Sequence, residues 1–154
     1  MHEREIVKTI LLVEDEAVIS IITSKALQRF GYSVITAGSG EEAVRSAAEN
    51  KDISLVLMDI NLGEGIDGTE AARQILLTRD IPIVFHSSHS EREMVEKVRG
   101  ITRHGYVLKS SGDFVLQLSI EMAYEVFELN EKTKKSEEHY RALFENTGTS
   151  LITI

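Results

Sequence analysis

Four short segments carry the residue types that could do chemistry together: Glu14-Asp15-Glu16, Asp59, Ser87-Ser88 and Lys109. Three carboxylates drawn into one pocket repel each other unless a cation or protons intervene. Oxygen donors without His or Cys select a hard ion, Mg²⁺ or Ca²⁺. An incomplete protein cage suits Mg²⁺, which keeps waters and takes phosphate oxygens as ligands. Lys109 supplies a point positive charge for a phosphoryl oxygen, and Ser87-Ser88 supply hydroxyl donors. Each segment also has a plain structural use. The acids could favour a helix N-terminus, Asp59 and Ser87 could shape turns, and Lys109 could be surface charge. What decides between these uses is whether the chain brings the four segments together.

The elements that would do so are legible. Short apolar runs at Thr9–Val13, Ser33–Thr36, Leu55–Met58, Ile81–Phe85 and Tyr106–Leu108 are bounded by turn residues, the pattern of strands buried on both faces of a parallel sheet. Helical spacing lies between them. Val18, Ile22, Ala26 and Phe30 recur every four residues, with Gly31 as a stop signal. Ser39-Gly-Glu-Glu42 and Ser90-Glu-Arg-Glu93 fit the capping box. Ala71, Ala72, Ile75 and Leu76 supply the inner face of a third helix, and Met94, Val95 and Val98 that of a fourth. The expected fold is α/β: a doubly wound, five-stranded parallel sheet of flavodoxin-like (βα)5 order with right-handed crossovers. Ligands in such sheets sit beyond the carboxyl ends of the strands. Glu14–Glu16, Asp59, Ser87 and Lys109 all follow strand ends.

After Gly112 no Gly or Pro occurs until Gly148, so one long helix is expected from Asp113 to about Asn146. Val115, Leu118 and Met122 would cover the sheet. From Met122 onward, Val126, Leu129, Thr133, Ser136, Tyr140 and Leu143 step as a heptad seam that seeks a partner helix, weakened by Thr133 and Ser136. A solvated helical linker is the alternative. This divides the chain into residues 1–125, a globular domain; 126–146, a coiled-coil-like linker; and 147–154, the start of something further.

The bulk composition fits. With 154 residues, 42% hydrophobic and 27% charged, one domain can build its core without staples. The absence of cysteine excludes disulfides and thiolate metal sites and suits a reducing cytoplasm. No apolar run approaches a membrane span, and Met-His-Glu-Arg-Glu is no signal peptide. A formal charge of −8, with no Lys/Arg cluster in the first 110 residues, argues against direct nucleic-acid binding.

The segments Ile10-Leu-Leu-Val-Glu-Asp15, Leu57-Met-Asp-Ile-Asn-Leu62, Gly65-Ile-Asp-Gly68, Pro82-Ile-Val-Phe-His-Ser87 and Gly105-Tyr-Val-Leu-Lys109 closely resemble those of the response-regulator receiver family, across roughly residues 7–125. The resemblance implies that Asp59 accepts a phosphoryl group from a histidine kinase or phosphotransfer protein, with Mg²⁺ as cofactor. It implies Asp15 and Asp59 as direct metal ligands, Glu14 acting through water, and the Asn61 carbonyl as a further ligand. Ser87 and Lys109 would bind the phosphoryl oxygens, and Ser87 with Tyr106 would form the conformational switch. Asn61 and His89 match the positions that tune the lifetime of the phosphorylated state.

Three residues depart from the family pattern. Ser110 stands where Pro usually follows the site Lys. A cis bond before Ser costs ~2.5–4 kcal/mol, so a trans peptide and a displaced Lys109 are expected. Glu14 replaces the commoner Asp. His86 occupies a usually apolar strand position and is expected to be a half-buried, hydrogen-bonded core residue rather than a ligand or general base.

The wording around Asp59 resembles receivers attached to sensory histidine kinases. Residues 136–154 resemble the entry helix and first strand of a PAS domain, which would make the chain a fragment of a longer signalling protein, its parent a histidine kinase. The segment itself reads as a cytoplasmic signalling phosphoacceptor rather than a dedicated enzyme, and as a homodimer through its C-terminal helix. The alternative is a pseudo-receiver that docks partners without being phosphorylated. A phosphatase or nucleotide enzyme lacks support, since there is no Gly-rich phosphate loop and no second Asp two residues after Asp59.

Overall fold

The computed structural model describes residues 6–88, 96, 98–101 and 105–146, the last eight of these as backbone only. Five parallel strands, β1 (Thr9–Val13), β2 (Ser33–Ala37), β3 (Ile53–Met58), β4 (Ile83–Ser87) and β5 (Tyr106–Leu108), form one sheet in the order β2-β1-β3-β4-β5. Helices α1 (Ala17–Arg29), α2 (Gly40–Glu49) and α3 (Gly68–Thr78) link the first four strands. A C-terminal helix runs unbroken from Gly112 to Asn146. The expected flavodoxin-like sheet is present, and strand order reverses between β1 and β3, where such sheets open a crevice.

Period-two alternation divides the strand residues between two cores. Leu11, Val13, Val56, Met58, Ile83 and Phe85 pack with α2 and α3 through Ala43, Ala47, Ala72 and Ile75. Ile10, Leu12, Leu55, Leu57, Val84 and Val107 pack against Leu27 of α1 and Leu116, Ile120, Ala123 and Tyr124 of the C-terminal helix. Small alanines let α2 and α3 approach the sheet closely.

Local signals hold at the termini that are described. Ser39 caps α2 by accepting from the Glu42 N–H at 3.1 Å, while Glu42 reaches back to the Gly38 N–H at 3.0 Å. Gly31 ends α1 at φ +99°, a conformation costly for other residues. The Ser90–Glu93 box, Met94, Val95, His89 and residues 147–154 lie outside the described residues.

Two helix faces differ from expectation. On α1 the buried residues are Thr23, Ala26 and Leu27, whereas Val18 and Ile22 are 70% and 63% exposed. On the C-terminal helix the sheet is covered by Leu116, Ile120, Ala123 and Tyr124. Val115, Leu118 and Met122 instead face outward, at 40%, 45% and 54% exposure. In both helices two apolar stripes compete for one sheet, and spacing alone does not choose between them.

Beyond the sheet the C-terminal helix stays tied to the body. The Tyr124 hydroxyl shares a 2.7 Å hydrogen bond with Ser54 Oγ, its ring stacks on Tyr32, and Lys8 lies 4.1 Å from the ring centroid. Exposed pairs Lys8–Glu128 (3.5 Å) and Lys134–Asp80 (3.1 Å) continue along that side, each worth little alone.

Candidate functional site

Register brings the chemical residues together. Val13 pairs with Met58, Met58 with Phe85, and Phe85 with Tyr106, so one row crosses four strands. Immediately beyond it, Glu14 and Asp59 leave neighbouring strands side by side. Their N–H groups are held by Ala37 O at 3.0 Å and Val13 O at 3.1 Å. Ser87 ends β4 opposite Leu108, and Lys109 follows.

At this edge the carboxylates of Glu14, Asp15 and Asp59 present oxygens within 4.8 Å of one another. Glu14 and Asp59 are buried at 5% and 7% exposure, and Ser87 is fully buried. Lys109 Nζ donates to Glu14 Oε1 at 2.5 Å and to Asp59 Oδ2 at 3.0 Å. The Asn61 N–H donates to Asp59 Oδ1 at 3.3 Å. No cis peptide occurs among the described residues, and the Lys109–Ser111 segment forms a short 3-10 turn. The expected trans peptide before Ser110 is therefore present. From that turn the four-carbon arm of Lys109 reaches both acids.

Electrostatics reflect a crowded anionic site. Burial, with hydrogen bonding to Asp59, pushes the Glu14 carboxyl above its ordinary value despite Lys109. Burial acts to lower the Lys109 ammonium, but its hydrogen bonds to Glu14 and Asp59 outweigh that and hold it above its ordinary value. Three ionised carboxylates and one ammonium leave a formal charge of −2. Glu14 Oε2 is buried without a hydrogen-bond partner among the described residues. An all-oxygen donor set with this deficit and one orphaned buried oxygen fits a hard divalent cation.

The loop after β3 is set by contacts the sequence did not announce. Glu41 on α2 accepts from the Ile66 N–H at 2.7 Å, which lowers its carboxyl below the ordinary range. Asp67 caps α3 through the Glu70 N–H at 2.9 Å. A Cβ on Gly68 would lie 1.9 Å from the Asp59 carbonyl oxygen, so α3 starts against the backbone of Asp59 itself. Spacing offered one clue, a Gly opening a helix just past the acidic strand end. Glu41 gave none. His86 is buried at 9% exposure beside Lys109, more deeply than the half-burial expected of it.

Comparison with known proteins agrees with this geometry. The family model for the response regulator receiver domain matches residues 10–121. The transcriptional regulatory protein PdtaR of Mycobacterium tuberculosis is 35% identical over 121 residues, 78% of this chain and 58% of that protein; the chain thus spans a little over half the length of that relative. Among solved structures, the N-terminal domain of a response regulator/sensory box/GGDEF 3-domain protein from Carboxydothermus hydrogenoformans is 41% identical. It superposes with a TM-score of 0.74 over 80% of this chain and 98% of that one. A fusion carrying a trimeric coiled-coil segment of yeast Spc42 is 36% identical, with a TM-score of 0.80 over 91% of this chain and 90% of that one. With the sheet order, the acidic strand ends and the family match in accord, the chain belongs to the response regulator receiver domain family.

Proposed function

We propose that this receiver domain accepts a phosphoryl group on Asp59 from the phosphohistidine of a kinase or phosphotransfer protein in the cytoplasm. The observation that carries the reading is the Lys109 ammonium bridging Glu14 and Asp59, with Glu14 Oε2 buried and without a hydrogen-bond partner among the described residues. Asp59 Oδ would bond phosphorus as the P–N bond to the donor imidazole breaks. The ring leaves neutral, its other nitrogen carrying the proton. A carboxylate attacks a phosphoryl group readily only when anion repulsion is neutralised, and Lys109 stands within hydrogen-bond reach of the acceptor.

Asp15, Asp59 and the Asn61 carbonyl would hold Mg²⁺, with Glu14 acting through water; the bound ion would supply further charge neutralisation there. The Ser87 hydroxyl, at the end of the adjoining strand, would donate to a phosphoryl oxygen and, with Tyr106, relay the change. Asn61 is exposed at the rim, consistent with a role in tuning access of water to the phosphorylated site. His89 is assigned the same role from the resemblance. Residues 1–125 would act as the receiver, 126–146 as the helical output, joined in a homodimer, and 147–154 as the opening of a PAS-like sensor or kinase module.

Incubation with acetyl phosphate and Mg²⁺ tests the chemistry. One phosphoryl mass should appear on the wild type, none on Asp59→Asn, and a trace on Asp15→Asn. Undiminished labelling of Asp59→Asn would sink the assignment. An unlabelled wild type would favour a docking module that is not phosphorylated.

A further inference from the structure

The stretch from Asn61 to Asp67 crosses from the end of β3 to α3, and within it Asn61, Gly63, Glu64 and Gly65 are exposed. Gly63 and Gly65 take positive φ values of +71° and +90°. Glycines lose the most conformational freedom on ordering, so such a loop needs tethers from outside itself. The buried Leu62 side chain supplies one. Glu41, in the first turn of α2, supplies another by accepting from the Ile66 N–H at 2.7 Å. Its carboxyl, held below the ordinary range chiefly by that bond, accepts as a carboxylate, the stronger kind of acceptor.

Glycine clears the space on both sides of this contact. A Cβ on Gly65 would run into the Glu41 carboxylate, and one on Gly40 would lie 2.9 Å from the Ile66 carbonyl oxygen. The turn that carries Glu41 is itself fixed. Ser39 caps α2, Glu42 reaches back to Gly38, and the Ala37 carbonyl accepts from the Glu14 N–H. At its other side the loop passes close to the acidic cluster, since a Cβ on Gly63 would lie 3.2 Å from Asp15 Oδ2. An acid in a first helical turn also favours the dipole, but that use asks nothing of Gly65 or Gly40.

We propose that Glu41 is a positioning residue for the divalent cation, holding through the Ile66 N–H the loop that carries the Asn61 carbonyl. The role rests on the Mg²⁺ reading given above. Mg²⁺ demands near-ideal octahedral geometry, and a loop ordered before the ion arrives binds it more tightly because less freedom is lost on binding. Glu41 acts through the loop and does not ligate the ion.

Two measurements on the full, unphosphorylated chain test this: calorimetric titration with MgCl₂, and hydrogen exchange of the Ile66 amide without metal. Glu41→Ala should weaken Mg²⁺ binding about tenfold, the low end for a residue that orients a ligand. Its Ile66 amide should exchange ~tenfold faster or more, with amides of the strands unchanged. Glu41→Gln, whose amide oxygen accepts at the same reach, should restore both. Wild-type Mg²⁺ affinity in Glu41→Ala would overturn the role while leaving the metal reading intact. Binding as weak in Glu41→Gln as in Glu41→Ala would also overturn it, because charge rather than the tether would then draw the ion. A wild type that takes up no Mg²⁺ would sink the metal reading and this role with it.

Discussion

Lys109 and His86 lie side by side at the carboxyl edge of the sheet, and their surroundings treat the two titratable groups differently. Lys109 has two carboxylates and stays charged. His86 is buried beside that ammonium, and burial first, then Lys109, lowers its pKa from 6.5 to about 4, with Glu14 opposing. The imidazole is thus neutral in the fold above about pH 4, whereas the unfolded chain protonates it below 6.5. Between those values the unfolded state binds more protons, so stability is present at neutral pH and falls as pH falls. The slope from one such group is about 1.4 kcal/mol per pH unit. His86→Leu, which suits the apolar side of β4, should remove that increment. Chemical denaturation at several pH values across this window measures it, and identical slopes for variant and wild type would refute the burial argument. Arg79 illustrates what residue types do not announce: it donates to the carbonyls of Ala47, Asn50 and Ile53 at 3.0, 3.2 and 2.6 Å, joining the end of α2 to the start of β3.

At the scale of elements, the site depends on how closely α3 begins behind Asp59. The Gly68 N–H donates to Ile60 O at 2.8 Å, and no side chain fits between this residue and the Asp59 carbonyl. Gly68→Ala should force the β3–α3 connection apart. Overpacking of this kind costs typically about 1–3 kcal/mol, and here the contact is with backbone that cannot rotate away, so the upper end is expected. A lowered melting temperature together with reduced acetyl phosphate labelling is the expected result. Wild-type values of both would show that the approach is looser than described. The strands themselves were readable because a buried parallel strand is a run of β-branched and apolar residues between turn residues. Thr9–Val13 and Tyr106–Leu108 match to the residue, and β4 is displaced by two toward Ser87. The inner faces of α1 and the C-terminal helix were not readable, since Val18 and Ile22 have the same period as the residues that are buried.

Across the whole molecule, the proposed switch must carry a change from Asp59 to the C-terminal helix. The path is short: Ser87 pairs with Leu108, Lys109 follows, and the helix begins at Gly112. At ~1.5 Å per residue the 35-residue helix extends about 50 Å, so a small rotation at its start displaces its far end by more. Ser87→Ala should still accept the phosphoryl group but lose the accompanying amide shifts at Tyr106–Leu108 and along the first turns of the helix. Two-dimensional NMR before and after acetyl phosphate reads this directly. Shifts matching those of the wild type would exclude Ser87 as the relay.

Taken alone, the order of residue types determined the alternation of strands and helices, the placement of Glu14, Asp15, Asp59, Ser87 and Lys109 at strand ends, and the length of the C-terminal helix. These follow from local periodicity, turn chemistry and the absence of breakers, all of which act within a few residues. Only the tertiary structure decided which stripe of each amphipathic helix faces the sheet, that Lys109 reaches Glu14 and Asp59 from a trans turn, and that Glu41 and Gly68 hold the loop behind the site. Each of these is set by a contact between residues distant in sequence, where the better-packed of two apolar faces, or the one arm long enough to reach, prevails over an equally plausible local pattern.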